Sequence, residues 1–123
     1  ALVAMGSTVH EIVEAATVLK QAGIDASVIS VPSIRPCNTQ QLLAALTHGK
    51  AVVSVEEHNI NGGVGSLVAE VLAEAGCAIP LRRLGIADGQ YAIAADRAAT
   101  RAHHEIDAAG VVKNATALLL ATR

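Results

Sequence analysis

Residues 51–75, AVVSVEEHNINGGVGSLVAEVLAEA, decide the fold. Ala51-Val52-Val53-Ser54-Val55 is a short β-branched run, the composition of a buried strand. Glu56-Glu57-His58-Asn59 breaks it with three ionisable groups and an Asn, which predicts a loop from Glu56 onward. From Val64 the apolar residues fall at Val64, Leu67, Val68, Val71, Leu72 and Ala75, three or four apart, along one face of a helix. An apolar strand feeding a one-faced helix through the turn Gly62-Gly63-Val64-Gly65-Ser66 is half of a βαβ unit.

The same unit recurs on either side. Leu2 to Met5 is a first strand, and Gly6-Ser7-Thr8 turns the chain. Thr8 with Glu11 fits a capping box, opening a helix whose apolar side is Val9, Ile12, Val13, Ala16 and Leu19. Ala26 to Val31 is a second strand, stopped by Pro32. Asn38 with Gln41 opens a short helix through Leu42, Leu43 and Leu46. Leu81 to Leu84 alternates apolar and charged residues, the pattern of a less buried edge strand. Asp88-Gly89 marks a turn in the loop that follows. Residues 95–104 suit a helix with Asp96, Arg97, Arg101, His103 and His104 on wet faces. Asp107 caps a last helix with Val111, Val112, Ala115, Leu118 and Leu119 at helical spacing. The alternation predicts an α/β chain: three α/β/α layers around a mainly parallel four-stranded sheet, in strand order 2-1-3-4 with right-handed crossovers.

A chain of 123 residues is one domain with room for a real core. Hydrophobic residues make up 52% of it, yet it has one Tyr and neither Trp nor Phe, so that core is aliphatic. It lacks the aromatic platforms of single-strand binding, and a net charge of -2 offers no basic footprint. No nucleic-acid partner is expected. No uncharged apolar run approaches the ~20 residues of a membrane span, and Ala1 to Met5 has no basic lead, so no membrane partner is expected either. Cys37 and Cys77 stand apart, without CxxC or metal-ligand spacing, as reduced thiols of a cytoplasmic protein do. The chain begins inside an apolar run without an initiator Met, so a piece of a longer protein is expected.

The glycine-rich turn resembles a phosphate cradle, since a helix N-terminus favours anions. A dinucleotide site, however, needs its glycines at the strand end and an acid about 20 residues on. Here Glu56 to Gly62 intervene and the next strand carries Arg82 and Arg83. Close approach of loop and helix to a neighbour explains the glycines better. Glu56, Glu57 and His58 are metal-ligand types, and the two carboxylates are acid–base types. Adjacent residues at a strand end cannot all point one way, and two ligands without a third make no metal centre. Their expected role is polar, bonding loop N–H groups or an adjoining domain. His10, His103 and His104 are expected in solvent, and His48 at a helix end, where a cation is favourable. Ser7, Thr8, Arg35, Glu56, Glu57, His58 and Asn59 fall at the carboxyl ends of strands, the rim where α/β proteins bind ligands. Any site belongs there, or else the rim is an interface.

VVSVEEHNINGGVGSLVAEVLAE resembles the C-terminal domain of the transketolase family of thiamine-diphosphate enzymes. That family includes deoxyxylulose-phosphate synthases and the β-chains of 2-oxoacid dehydrogenases. The strand ending in Val55-Glu56-Glu57, the Gly62-to-Ser66 turn, the Val-Ala-Glu helix and Leu84-Gly85-Ile86 with Asp88 occur in the family's order. Ala4-Met5-Gly6-Ser7 and Val31-Pro32-Ser33-Ile34-Arg35-Pro36 resemble its first two strand ends. The match covers nearly the whole chain. Such domains begin with an extra antiparallel edge strand, which this chain lacks, and follow two domains that hold the cofactor's pyrimidine and diphosphate. The resemblance implies a non-catalytic domain that supports the packing and homodimerisation of a transferase, with no activity of its own. Thiamine diphosphate and Mg2+ are implied for the parent, held by the upstream domains or by a separate subunit carrying them. It transfers no catalytic, cofactor-binding or metal-binding residue onto this chain. Two alternatives remain open: a free-standing module binding a small ligand or anion at the rim, and a metal-dependent enzyme using Glu56, Glu57 and His58.

Overall fold

Four strands form one sheet, and every neighbouring pair in it runs parallel. They are β1 (Leu2–Ala4), β2 (Val28–Ser30), β3 (Val52–Asn59) and β4 (Leu81–Ile86), in spatial order β2-β1-β3-β4. The computed structural model describes residues 1–122. Among the described residues five α-helices flank the sheet: α1 (Val9–Gln21), α2 (Thr39–Leu46), α3 (Val64–Glu74), α4 (Arg97–His103) and α5 (Ala108–Ala121). The expected order, the parallel pairing and the placing of β4 at an edge all hold.

Strand alternation divides the core in two. Leu2, Ala4, Val53, Val55 and Leu84 meet Ile12, Ala15 and Leu19 of α1 and Val111, Ala115 and Leu118 of α5. On the other face Val3, Val31 and Val52 meet Leu42 and Leu46 of α2 and Val64, Val68, Val71 and Leu72 of α3. The α3 stripe is the predicted one at Val64, Val68, Val71 and Leu72, with Leu67 half-buried, whereas Ala75, expected on the same face, is exposed just past the end of the helix. The α1 stripe is rotated: Ala15 is buried, whereas Val13 is 48% exposed.

Several local expectations are corrected. Glu56 to Asn59 are strand, not loop, because the ladder to β4 resumes at Asn59↔Ile86 after a register break beyond Val55. β2 is confined to Val28–Ser30. Thr8 and Glu11 form no capping box. The Thr8 hydroxyl lies between the carbonyls of Met5 (3.1 Å) and Val55 (3.2 Å), tying the start of α1 to β3. Glu11 is drawn away by partners on α4 and α5. Asn38 and Asp107 cap as expected, accepting from the N–H groups of Gln41 and Gly110. Arg101 and His104, expected in solvent, are buried.

Candidate functional site

β1 and β3 are neighbours, but the helices that follow them lie on opposite faces of the sheet. The crevice between their carboxyl ends is therefore a topological switch point, the usual ligand-binding place of such sheets. Here the chain fills it. Ser7 donates to Glu57 Oε2 at 2.7 Å across the gap. Arg97 grips the same carboxylate with two N–H groups, Nε to Oε1 at 2.6 Å and Nη2 to Oε2 at 2.7 Å. Arg101 Nε adds a bond to Oε1 at 3.0 Å. Its Nη1 donates to Glu11 Oε1 at 2.7 Å, and Glu11 Oε2 accepts from the Ala108 N–H at 2.8 Å. One charged chain thus links the turn after β1, β3, α4, α1 and the start of α5. The Arg97 guanidinium foremost, then Arg101 and the Ser7 hydroxyl, hold the Glu57 carboxyl well below the usual carboxylate range.

Glu56 has the opposite surroundings. Strand alternation turns it to the α3 side, where it is 3% exposed. Its Oε2 accepts from the Gly65 N–H at 3.3 Å, in the first turn of α3. Its Oε1 is buried without a partner, as is the Ser54 hydroxyl two residues back on the same face. Burial pushes the Glu56 carboxyl up, against the opposing pull of Gly65, His58, Val64 and Arg83. The glycines explain themselves here. A Cβ on Gly63 would lie 2.1 Å from Glu56 Oε2 and 2.4 Å from His58 Cε1. One on Gly65 would lie 2.8 Å from Ser54 Oγ. The turn lacks side chains so that the carboxylate fits beneath it. Glu56 stands where an external anion would have to bind.

The remaining rim residues are less engaged. His58 is exposed, and its Nδ1 lies 2.8 Å from the Asn59 carbonyl, which can only accept, so Nδ1 is the donor. Asn59 Oδ1 accepts from the Asn61 N–H at 2.9 Å. Arg83 Nη1 donates to the Ile60 carbonyl at 3.0 Å and shapes the loop from beneath. Arg35 is exposed and makes no hydrogen bond or ion pair among the described residues. The structure therefore joins Ser7 and Glu57, places Thr8 beneath them, and leaves Arg35 outside. Arg97, Arg101 and Glu11 were missed from the sequence. The signal was present: Arg97 and Arg101 are four apart and share one helix face. Among the described residues no group of three His, Cys, Asp or Glu side chains is placed to hold a metal ion. A cleft of about 620 Å³ lined by Ala1, Ile24, Lys50 and Leu119 lies at the amino ends of the strands, away from the rim.

The family model "Transketolase, C-terminal domain" matches residues 1–111. The chain is 62% identical over 118 residues to one of the subunits of the apulose-4-phosphate transketolase of Actinobacillus succinogenes, a match covering 96% of this chain and 38% of that one. It is 39% identical over 119 residues to the 1-deoxy-D-xylulose-5-phosphate synthase of Thermomicrobium roseum, covering 97% of this chain and 19% of the synthase. Among solved structures, a split gene transketolase described as an inactive beta4 tetramer superposes with a TM-score of 0.86 at 32% identity. That match covers 99% of this chain and 39% of the other. This chain spans well under half the length of each of these relatives, and it belongs to the transketolase C-terminal domain family.

Proposed function

We propose that this chain is the non-catalytic C-terminal part of a thiamine-diphosphate-dependent, transketolase-like enzyme acting on a sugar phosphate, of the kind divided between subunits. Its work is to support the cofactor-binding domains, whether upstream or on a companion subunit, and to take part in homodimerisation of the parent, in the cytoplasm. The filled switch-point crevice carries this proposal. Ser7, Glu57, Arg97 and Arg101 turn a usual ligand-binding place into a rigid strut.

The residues present do not fit the cofactor. A diphosphate needs free N–H groups at a helix N-terminus, and Gly65 N–H is bonded to Glu56. Mg2+ needs several free oxygen ligands together: both Glu57 oxygens accept from guanidinium groups, the partnerless Glu56 Oε1 stands alone, and no group of three His, Cys, Asp or Glu side chains among the described residues is placed to hold a metal ion. Both are therefore assigned to other parts of the parent. No helix among the described residues is long and apolar enough to cross a membrane.

A chimaera tests the proposal. Replacing the matching segment of the related A. succinogenes transketolase with this chain should leave assembly with the companion subunit and sugar-phosphate transfer intact. A chimaera that folds but neither assembles nor turns over would overturn it. Calorimetric titration of the chain alone with thiamine diphosphate and Mg2+ should show no binding. Saturable micromolar binding would overturn the assignment of the cofactor elsewhere.

A further inference from the structure

Between β3 and α3 the chain crosses over Glu56 as a short bridge, Ile60 to Gly63. Both ends of the bridge are fixed. The Ile60 N–H donates to the Ile86 carbonyl at 3.1 Å, and the Ile60 carbonyl accepts from Arg83 Nη1 at 3.0 Å. At the other end Val64 is 1% exposed, sunk in the core beneath α3. Asn61, Gly62 and Gly63, between these anchors, are held from the solvent side. The Asn61 N–H goes to Asn59 Oδ1 at 2.9 Å, Asn61 Nδ2 to Asp88 Oδ1 at 3.0 Å and the Gly62 N–H to Ser66 Oγ at 2.9 Å. All three bonds are exposed, and exposed bonds are readily exchanged for water. Gly62, at φ +80° with open space around the place of its Cβ, gives the segment freedom to turn outward.

What this segment covers is a poor place for a charge. Gly63 backbone rests directly on Glu56 Oε2, and Glu56 Oε1 and Ser54 Oγ are buried without partners. On the β4 side Gly85 closes in, where a Cβ would lie 3.2 Å from Glu56 Cγ. The charged or titratable groups that bear on the carboxyl are His58 of β3 and Arg83 of β4, and α3 brings only the N–H groups of Gly65 and Val64.

We propose that residues 61–63 form a proton-controlled lid, closed over Glu56 while its carboxyl keeps a proton and swung outward to admit water once the proton is lost. Burial raises the carboxyl above its ordinary value while the lid is closed, with His58 and Arg83 opposing. Water around the carboxyl in the open form restores the ordinary value. The closed form is therefore favoured in full below the ordinary value and loses ground as pH rises through the raised one. Opening also parts Asn61 from Asp88, which passes the position of the lid to the loop after β4.

The test is magnetic resonance on the 123-residue chain from pH ~4 to ~9, following the Glu56 carboxyl carbon and the exchange protection of the Gly62 amide, corrected for its intrinsic rate. Between the ordinary carboxylate value and the raised one, protection should fall about ten-fold per pH unit and then level off. Glu56→Gln, which cannot ionise, should keep its protection flat throughout. Gly63→Ala wedges a methyl group against Glu56 Oε2, so Gly62 should lose protection at every pH and the Glu56 carbon should titrate in the ordinary range. If that wedge unfolds the chain, the Gln variant still decides. A Glu56 carboxyl that titrates in the ordinary range in the unaltered chain overturns the lid. So does protection that ignores the Glu56 titration, or that falls equally in Glu56→Gln.

Discussion

The two sides of β3 place neighbouring glutamates in opposite circumstances. On the α3 side Glu56 is enclosed by apolar residues and glycine backbone, with one N–H bond and one orphaned oxygen. On the α4 side Glu57 meets two guanidinium groups and a hydroxyl. The same side chain is raised in pKa by burial on one side and depressed by cations on the other. At neutral pH a negative charge therefore opposes folding on the α3 side and supports it on the α4 side. Which side chain gains and which loses is decided by strand alternation and by what faces it, not by residue type.

The α3 side breaks most completely at Val68, which is 0% exposed. Val68→Asp forfeits the ~1.5–3 kcal/mol of a buried aliphatic side chain and buries a carboxylate without a partner. Whole domains are stable by only ~5–15 kcal/mol, so the variant should unfold or nearly unfold in a urea titration. A cooperative transition near that of the unaltered chain would show that α3 does not anchor this face.

On the α4 side the sharper probe is Glu57→Gln. It weakens the grip on Arg97 and leaves buried Arg101 with Glu11 as its remaining carboxylate. Bonds to charged groups are worth ~1.5–3 kcal/mol, and a loss of about that size is expected at pH 7. A depressed folded pKa contributes stability that is present above the unfolded value of ~4.3 and is lost as pH falls toward the folded value. The gap between variant and parent should hold from pH 7 down to the unfolded value and shrink in acid below it. A gap constant down to the most acid pH at which the chain stays folded would mean that packing, not charge, carries the effect.

Glu56→Gln is the smallest effect and has the opposite sign. A raised folded pKa gives stability that is full below the unfolded value and is lost as pH rises through the folded one. A permanently neutral Gln should match the parent in acid and exceed it at neutral pH, by about 1 kcal/mol or less. Thermal midpoints at acid and neutral pH check this; a variant less stable than its parent at neutral pH would place a needed charge at Glu56.

Layering, strand order and the α3 stripe were legible because aliphatic spacing and glycine turns are local signals. Asn38 and Asp107 were legible as caps for the same reason. The end of β3 was not: Glu56 to Asn59 look like a loop until β4 and the α3 N-terminus supply partners for them. Arg101 looks solvated until Glu11, ninety positions away in the chain, is found beside it. The capping box failed on the same ground, since that distant arginine competes for Glu11. Ser7, Thr8 and Glu57 were legible as rim residues because strand ends converge there. What occupies the crevice was not, because it comes from a helix three elements further on than β3.

The ladder itself has a consequence for synthesis on the ribosome. Leu2 pairs with Val28 on one side and with Val53 on the other, so no strand is matched across a tight hairpin. Each pairing closes a loop that contains a helix, which raises contact order and slows folding relative to helical bundles. Leu2, Val3 and Ala4 are almost wholly buried in the finished domain, yet they are made before every strand and helix that covers them. They stay half-paired until β3 has left the exit tunnel. During that interval the nascent chain presents an aliphatic strand with an open edge, the species that chaperones bind and that aggregation consumes. Stalling translation before Val52 should therefore yield a protease-sensitive chain, and stalling after β4 a largely protected one.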